Sequence, residues 1–492
     1  MKYLKFLKLG ISILFTFSFI FFSCKKDNLI SSSQVNFTVS TDTLLFDTIF
    51  TDVGSITKRI IVRNHEHEKI KLNKVYVNHN LNQTFKINVN GILKPIVEGV
   101  EIYPKDSIFI FIEATVNPNK DTNPFIIDDE LIFIANDTEK KVHLSVWGQN
   151  AHYYNSDIDS LNYIVFDTDK TLDNDLPHIF YSNIVVENNA TLTINEGARI
   201  HLANQVNIIV HQGGKLHING SGYDENRVQI QGSRLDDDYL HKPGQWGVIR
   251  ICQDAGDSWI KNTDIRNGTI GCYLGGPVGN EPFDVTLTPK LNIENSIITN
   301  MSHYGLLLQA SNSKIENSEI SDCGEMAIFN YIGGKCHILH STIANYYSGR
   351  NTVSMVLTNH VTDHINNTYF NKPLLFKMEN SILYGSYNTE LVLNQTNEAG
   401  FDIHFNSCLI RAEPDKDLNL SDNDLFTDCI FNEDPLFIRK YENQYSDYQL
   451  NTLSAAQNIA NPTFSGLVPT DLSGKSRLQD GQPDVGAYER ED

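Results

Sequence analysis

The sequence predicts an all-β protein in two parts, an antiparallel β-sandwich over residues 35–150 followed by a parallel β-helix over residues 179–432. Three observations predict it. Residues 35–148 consist of short apolar runs broken by Asn, Gly, Pro and Asp turns, with no helical periodicity. Further on, an asparagine or a polar stand-in recurs in one local setting, at Asn262, Asn295, Asn317, His340, Asn380, Asn406 and Asp428. Apolar residues keep fixed offsets from it: Ile260, Ile293, Ile315, Ile338, Met378 and Phe426 stand two before, and Ile265, Ile298, Ile320, Ile343, Leu383, Leu409 and Phe431 three after. The steps are 33, 22, 23, 40, 26 and 22 residues, so the unit is near 22 and the two long steps carry insertions. Such a ladder suits stacked coils about 4.8 Å apart, because Asn tolerates a left-handed turn and its amide can pair with the next turn.

From the N-terminus, Lys2, Lys5 and Lys8 precede an apolar run from Leu9 to Phe22 and then Ser23-Cys24. The run is too short and too early for a spanning helix and reads as a secretory signal over residues 1–23. A small residue directly before a lone cysteine here resembles a bacterial lipoprotein signal. The resemblance implies a lipidated Cys24, a membrane anchor without a transmembrane element, and a place in the cell envelope, at the outer membrane. Residues 24–34, with Lys25-Lys26-Asp27 and Ser31-Ser32-Ser33, read as a flexible tether.

Sixty acidic against 39 basic side chains give a net charge of −21, which excludes nucleic acid as a partner and suits a neutral glycan or an envelope protein. The sandwich strands are read at residues 60–62, 71–77, 85–89, 107–112 and 131–134. This segment, closing on Val146-Trp147-Gly148-Gln149, resembles the immunoglobulin-like domains that precede β-helices in envelope lipoproteins. Residues 151–178, with the acidic run Asp167 to Asp175, are expected to connect the two parts.

The coils open with Ala190-Thr191-Leu192-Thr193-Ile194-Asn195-Glu196-Gly197, Gly213-Gly214-Lys215-Leu216 and Gly244-Gln245-Trp246-Gly247-Val248-Ile249. That order is similar to the opening coils of right-handed parallel β-helix repeat proteins, which implies a right-handed, pectate-lyase-like solenoid. Asp434-Pro435-Leu436-Phe437, Asp447-Tyr448-Gln449-Leu450 and Asp484-Val485-Gly486-Ala487-Tyr488-Glu489 resemble the closing segment of exported β-helix proteins. Residues 433–492 are therefore expected to cover the last coil. The ladder register also predicts a buried Asn317 bonded to turn backbone and an outward, solvent-facing Glu319.

Six cysteines follow Cys24. Alternation from the ladder predicts Cys429 inward and Cys408 outward, so that these two should not bond; Cys323 with Cys336 stays open as a pair.

Many right-handed β-helices are polysaccharide lyases or glycoside hydrolases, so an enzyme is one expectation. Asn262-Thr263-Asp264 matches one motif of polygalacturonase-like hydrolases, but no Gly-Asp-Asp, Gly-His-Gly or Arg-x-Lys accompanies it. No catalytic residue is assigned. Asp236, Asp237 and Asp238 in a loop could contribute oxygen ligands to calcium, or form a solvated turn; no other cofactor is expected. His360 and His364 would have zinc-like spacing only on a helix, and a loop is expected there, as at His65-Glu66-His67. The insertions at residues 275–289, 350–373 and 411–425 are the expected binding regions. The reading is a non-catalytic envelope lipoprotein that presents a β-helix surface to a glycan or protein, with a polysaccharide lyase or glycoside hydrolase as the alternative.

Overall fold

The computed structural model describes residues 28–51, 53–118, 125–156, 162–236, 239–276, 290–363, 368–416, 418–442, 445–479 and 481–490. It divides into two compact units, residues 1–150 and 151–492.

The first unit is a β-sandwich. Among the described residues one five-stranded sheet has the order Phe37–Val39, Lys58–Asn64, Ser107–Ala114, Phe85–Val89, Ile92–Leu93. The other runs Thr43–Phe50, Thr138–Gln149, Phe125–Ala135, Ile70–Val77, Ile96–Ile102. Pairing is antiparallel except where Thr138–Gln149 runs parallel to Thr43–Phe50. Alternate residues such as Ile60, Val62, Ile110, Ile112, Leu131 and Phe133 fill the space between the sheets and are fully buried.

The second unit is a parallel β-helix. Each coil contributes a short strand to a ladder face, an eleven-stranded parallel sheet from His152–Tyr154 to Ile430–Phe431. Two other faces merge into one seventeen-stranded sheet because Tyr304–Glu316 and Ile328–Leu339 run continuously through both. Inward residues including Ile218, Ile260, Ile293, Ile315, Ile338 and Met378 make one continuous core, so the lumen is packed.

Three sequence expectations are corrected here. The connector expected at 151–178 is the first coil: His152–Tyr154 pairs with His178–Phe180, Tyr163–Phe166 with Asn183–Val186, and Lys170–Leu172 with Leu192–Ile194. Its strands are too short to alternate visibly, and its acidic run covers the strand Lys170–Leu172 and the turns on either side of it.

The second correction is a one-residue slip in the ladder. Left-handed φ values occur at Asn262 (45°), Asn295 (49°), Asn317 (47°), His340 (46°), Asn380 (47°), Ser407 (52°) and Asp428 (51°). Ser407, and not Asn406, therefore holds the sixth place; Asn406 pairs with Glu379 and accepts the Asn380 N–H at 3.0 Å. The shift moves Leu409 out of the lumen and Ile410 into it, opposite Leu383 and Phe431. It also turns Cys408 inward, in the same column as Cys429.

The third concerns the closing segment. Phe437, Tyr448, Leu450, Ala456, Ala460 and Val485 pack on Ala344, Ile382, Tyr384 and Leu409, which are outer residues of the ladder face. The segment lies along the flank of the solenoid. The last coil is instead filled from within by Leu418, Leu420, Leu425, Phe426 and Phe431.

Candidate functional site

The outer surface of one β-helix face carries a column of apolar and aromatic side chains. Strand register aligns Ile209 with Arg250, Arg250 with Tyr273, Tyr273 with Leu307, Leu307 with Phe329, Phe329 with Val356 and Val356 with Val392. These residues point away from the lumen because their neighbours Ile208, Ile249, Cys272, Leu306, Ile328 and Met355 point into it. Each column member is half-buried. Tyr304 lies 5.8 Å from Phe329 and Tyr331 5.2 Å from it, ring centre to ring centre.

At one end the Arg250 guanidinium sits 3.3 Å over the Tyr273 ring, and the Tyr273 hydroxyl bonds Gln309. Among the described residues Arg250 Nη1 is buried with no hydrogen-bond partner, packed beside that ring. It lines an open cavity of 710 Å³ with Ile209, His211, Cys252, Gln253, Asp254 and Gly276. Burial, helped by neighbouring Glu325, pushes the Tyr304 phenol up to about 12, so it stays a neutral hydroxyl. At the other end a hairpin, His360–Asp363 with Thr368–Asn371, follows the face. That segment was expected as a loop; His360 reaches Asn359, and His364 lies outside the described residues.

A second groove, of 340 Å³, lies at the C-terminal end. The insertion supplies Lys416, Asn419, Asp422, Asp424 and Leu425, facing Asp402 and His404 of the strand Phe401–Asn406. Asp402 and His404 approach to 2.9 Å.

The remaining expected residues fall elsewhere. Asp236 pairs with Arg234 at 2.8 Å, and Asp237 and Asp238 lie outside the described residues. No group of three metal-ligating side chains occurs among the described residues. Asp264 is held by Arg227 at 2.7 and 2.9 Å, beside the ladder. In the sandwich, Glu66 accepts the Asn36 N–H and His65 meets Thr38, both local strand-end contacts. Cys24 lies outside the described residues, and the other six cysteines, Cys323 and Cys336 included, are free thiols.

The ladder itself is a docking line for the C-terminal segment. Asn317 donates to Asn295 at 2.8 Å and to the Thr470 carbonyl at 3.0 Å, and accepts from buried Arg477 at 2.6 Å. His340 stands 2.8 Å from Ser465, while Asn380 exchanges bonds with the backbone of Asn461 at 2.8 and 2.9 Å. Glu319 does point away from the lumen, but the expectation of a solvent-facing carboxylate is overturned. The C-terminal segment buries it, with Tyr488 donating at 2.5 Å and Ser321 at 2.6 Å. Its neighbour Asp322 accepts from Tyr448 at 2.5 Å. Burial raises the Glu319 carboxyl to about 7 and that of Asp322 to about 6.

The aromatic face escaped sequence reasoning. Its signal was present as steps of 23, 34 and 22 residues from Arg250 to Tyr273, Leu307 and Phe329, which shadow the ladder steps. Reading it required knowing which residue of each strand faces out.

No protein-family model matches the chain, and no curated protein matches it. Among solved structures it is similar to the catalytic unit of a GH87 alpha-1,3-glucanase from Streptomyces thermodiastaticus, at 10% identity and TM-score 0.31, over 76% of this chain and 75% of that one. A family 123 glycoside hydrolase from Clostridium perfringens is similar over 28% of this chain and 30% of its own, at 10% identity and TM-score 0.19. The ASH / PapD-like domain of human CEP192 is similar over 26% and 94%, at 8% identity and TM-score 0.16. The β-helix assignment rests on the strand pairings, not on these likenesses.

Proposed function

We propose that the protein is a lipid-anchored protein of the bacterial envelope that binds a neutral glycan along the aromatic face of its β-helix, without catalysing a reaction. The immunoglobulin-like sandwich serves as a stalk, and neither calcium nor another cofactor is needed. One observation carries the reading: the in-register column from Tyr273 through Leu307 and Phe329 to Val356, flanked by Tyr304 and Tyr331. Flat rings stack on the C–H faces of sugars, and half-buried rings are held rigid, so little conformational freedom is lost on binding. The half-buried Arg250 at the margin supplies a polar contact for hydroxyl groups. A net charge of −21 opposes polyanions.

Affinity electrophoresis against neutral glucans, mannans and xylans tests this. Tyr304→Ala with Phe329→Ala is expected to weaken retention at least about tenfold, the equivalent of ~1.4 kcal/mol. Retention unchanged in a folded double variant would reject the face as the binding site.

A second reading is favoured by the carboxylates around the C-terminal groove: Asp402, Asp422 and Asp424 could act as acid and base in glycoside hydrolysis. Release of reducing ends from any of the same polysaccharides, lost in Asp402→Asn, would replace the non-catalytic reading with that one. For the anchor, mass spectrometry of the mature N-terminus is expected to find an acylated Cys24; an unmodified terminus elsewhere would remove it.

A further inference from the structure

A column of small polar residues follows the left-handed ladder position, and each hydroxyl accepts the backbone N–H of the coil before. Thr263 N–H donates to Ser296 Oγ at 3.2 Å, Ser296 N–H to Ser318 at 3.1 Å, Ser318 N–H to Ser341 at 3.2 Å, and Ser341 N–H to Ser381 at 3.0 Å. The next two members are Cys408 and Cys429. The pattern continues through them, with the Ser381 amide meeting the Cys408 thiol and the Cys408 amide meeting the Cys429 thiol.

The two cysteines thus occupy one register position in adjacent coils. Leu409 and Ile410 pair with Ile430 and Phe431, and Ile430 N–H donates to the Cys408 carbonyl at 2.9 Å. In-register parallel residues stand about 4.8 Å apart, within the ~4.4 to 6.8 Å that a disulfide requires between Cα atoms. Each thiol perturbs the acidity of the other, as near neighbours do. They differ in access: Cys408 is fully buried, its Sγ 3.3 Å from the carbonyls of Met378 and Asn406, while Cys429 in the last coil is half-buried.

We propose that Cys408 and Cys429 form a disulfide that staples the last coil to the one before it. The reaction is exchange with a disulfide oxidant. The Cys429 thiolate attacks one sulfur of the oxidant, whose S–S bond breaks and releases the other half as a thiol. Cys408 then gives up its proton and attacks the Cys429 sulfur, expelling the second half. Two protein thiols are oxidised by two electrons, and one external disulfide becomes two thiols. The order follows from the environment. Cys429 is half-buried and open to an external disulfide, whereas Cys408 is fully buried and can be reached only by its neighbour. The staple would secure the least-paired coil, whose strands Phe426–Thr427 and Ile430–Phe431 are two residues each, and with it the wall of the groove at Asp424 and Leu425.

Reduced full-length protein incubated with oxidised glutathione, then digested with trypsin without reduction, tests the proposal. Cleavage at Arg411 and Lys416 separates the two cysteines. A joined peptide pair lighter by two hydrogens is expected, absent in Cys429→Ser and in Cys408→Ser but present in Cys272→Ser. The oxidised protein should melt at least about 3 °C above the reduced one. Two thiols still free for alkylation, or glutathione left standing on Cys429, would overturn the assignment.

Discussion

Replacing Arg350 by alanine is expected to cost about 3 to 5 kcal/mol of stability, because it strands a buried carboxylate. Arg350 and Glu390 form an ion pair through both terminal guanidinium nitrogens, with side chains 1% and 0% exposed. Nη1 donates to Glu390 at 2.8 Å and to the Thr352 carbonyl at 3.1 Å, and Nη2 reaches Ser386 at 3.1 Å. Glu390 also accepts from Ser354 N–H at 2.9 Å, Ser354 Oγ at 2.7 Å and Tyr387 N–H at 2.8 Å. The pair ties the segment before the strand Met355–Thr358 to the one before Leu391–Asn394, so it fixes one end of the aromatic face. Urea denaturation of Arg350→Ala measures the cost. Arg350→Met with Glu390→Met should recover most of it, since no charge is then left alone. A double variant as unstable as the single one would show that the loss is not one of charge.

Stability is expected to fall as pH rises from about 5 to 8, through Glu319 and Asp322. Their folded-state values, about 7 and about 6, lie above the ordinary 4.5 and 3.8. The folded protein therefore holds protons that the unfolded chain has released. The stability this confers is complete below the ordinary values and is lost as pH rises through the folded ones. Tyr488, Ser321, Tyr448 and Asp447 of the ladder face and C-terminal segment surround the two carboxyls, and Arg350 faces Asp322. Buried His201, lowered to about 4, and His340 act in the opposite sense below pH 6.5. Comparison with Glu319→Gln cancels them. The variant should match the parent near pH 5 and exceed it by on the order of 3 kcal/mol near pH 8. A variant less stable than the parent at pH 8 would overturn this account.

The ladder shows how much of the molecule its sequence makes legible. Six of its seven positions are readable because a left-handed turn admits few residues, and Asn is the commonest of them. At the sixth coil Asn406-Ser407-Cys408 mimics Asn380-Ser381, and the local pattern cannot tell that the turn has slipped by one. Only the pairing of Glu379 with Asn406 and of Leu383 with Ile410 decides it. The cysteine pair was hidden by that same slip.

Glu319 is a different kind of miss. Its direction follows from alternation along the strand, but its burial depends on Tyr488, 169 residues away. The binding regions divide in the same way. The insertion at 411–425 borders a groove, as its composition suggested, whereas the aromatic face lies on regular strands whose outward positions look like ordinary β residues.

By itself, then, the sequence determines the all-β class, the sandwich before the solenoid, the coil length and most of the inward columns. Each of these is a local periodicity repeated many times, and repetition makes a weak signal readable. Tertiary structure alone decides where the solenoid starts, that the C-terminal segment lies along the ladder instead of over the end, and which outward side chains form one continuous surface. Those outcomes depend on single contacts between residues far apart in the chain, and no period in the sequence records them.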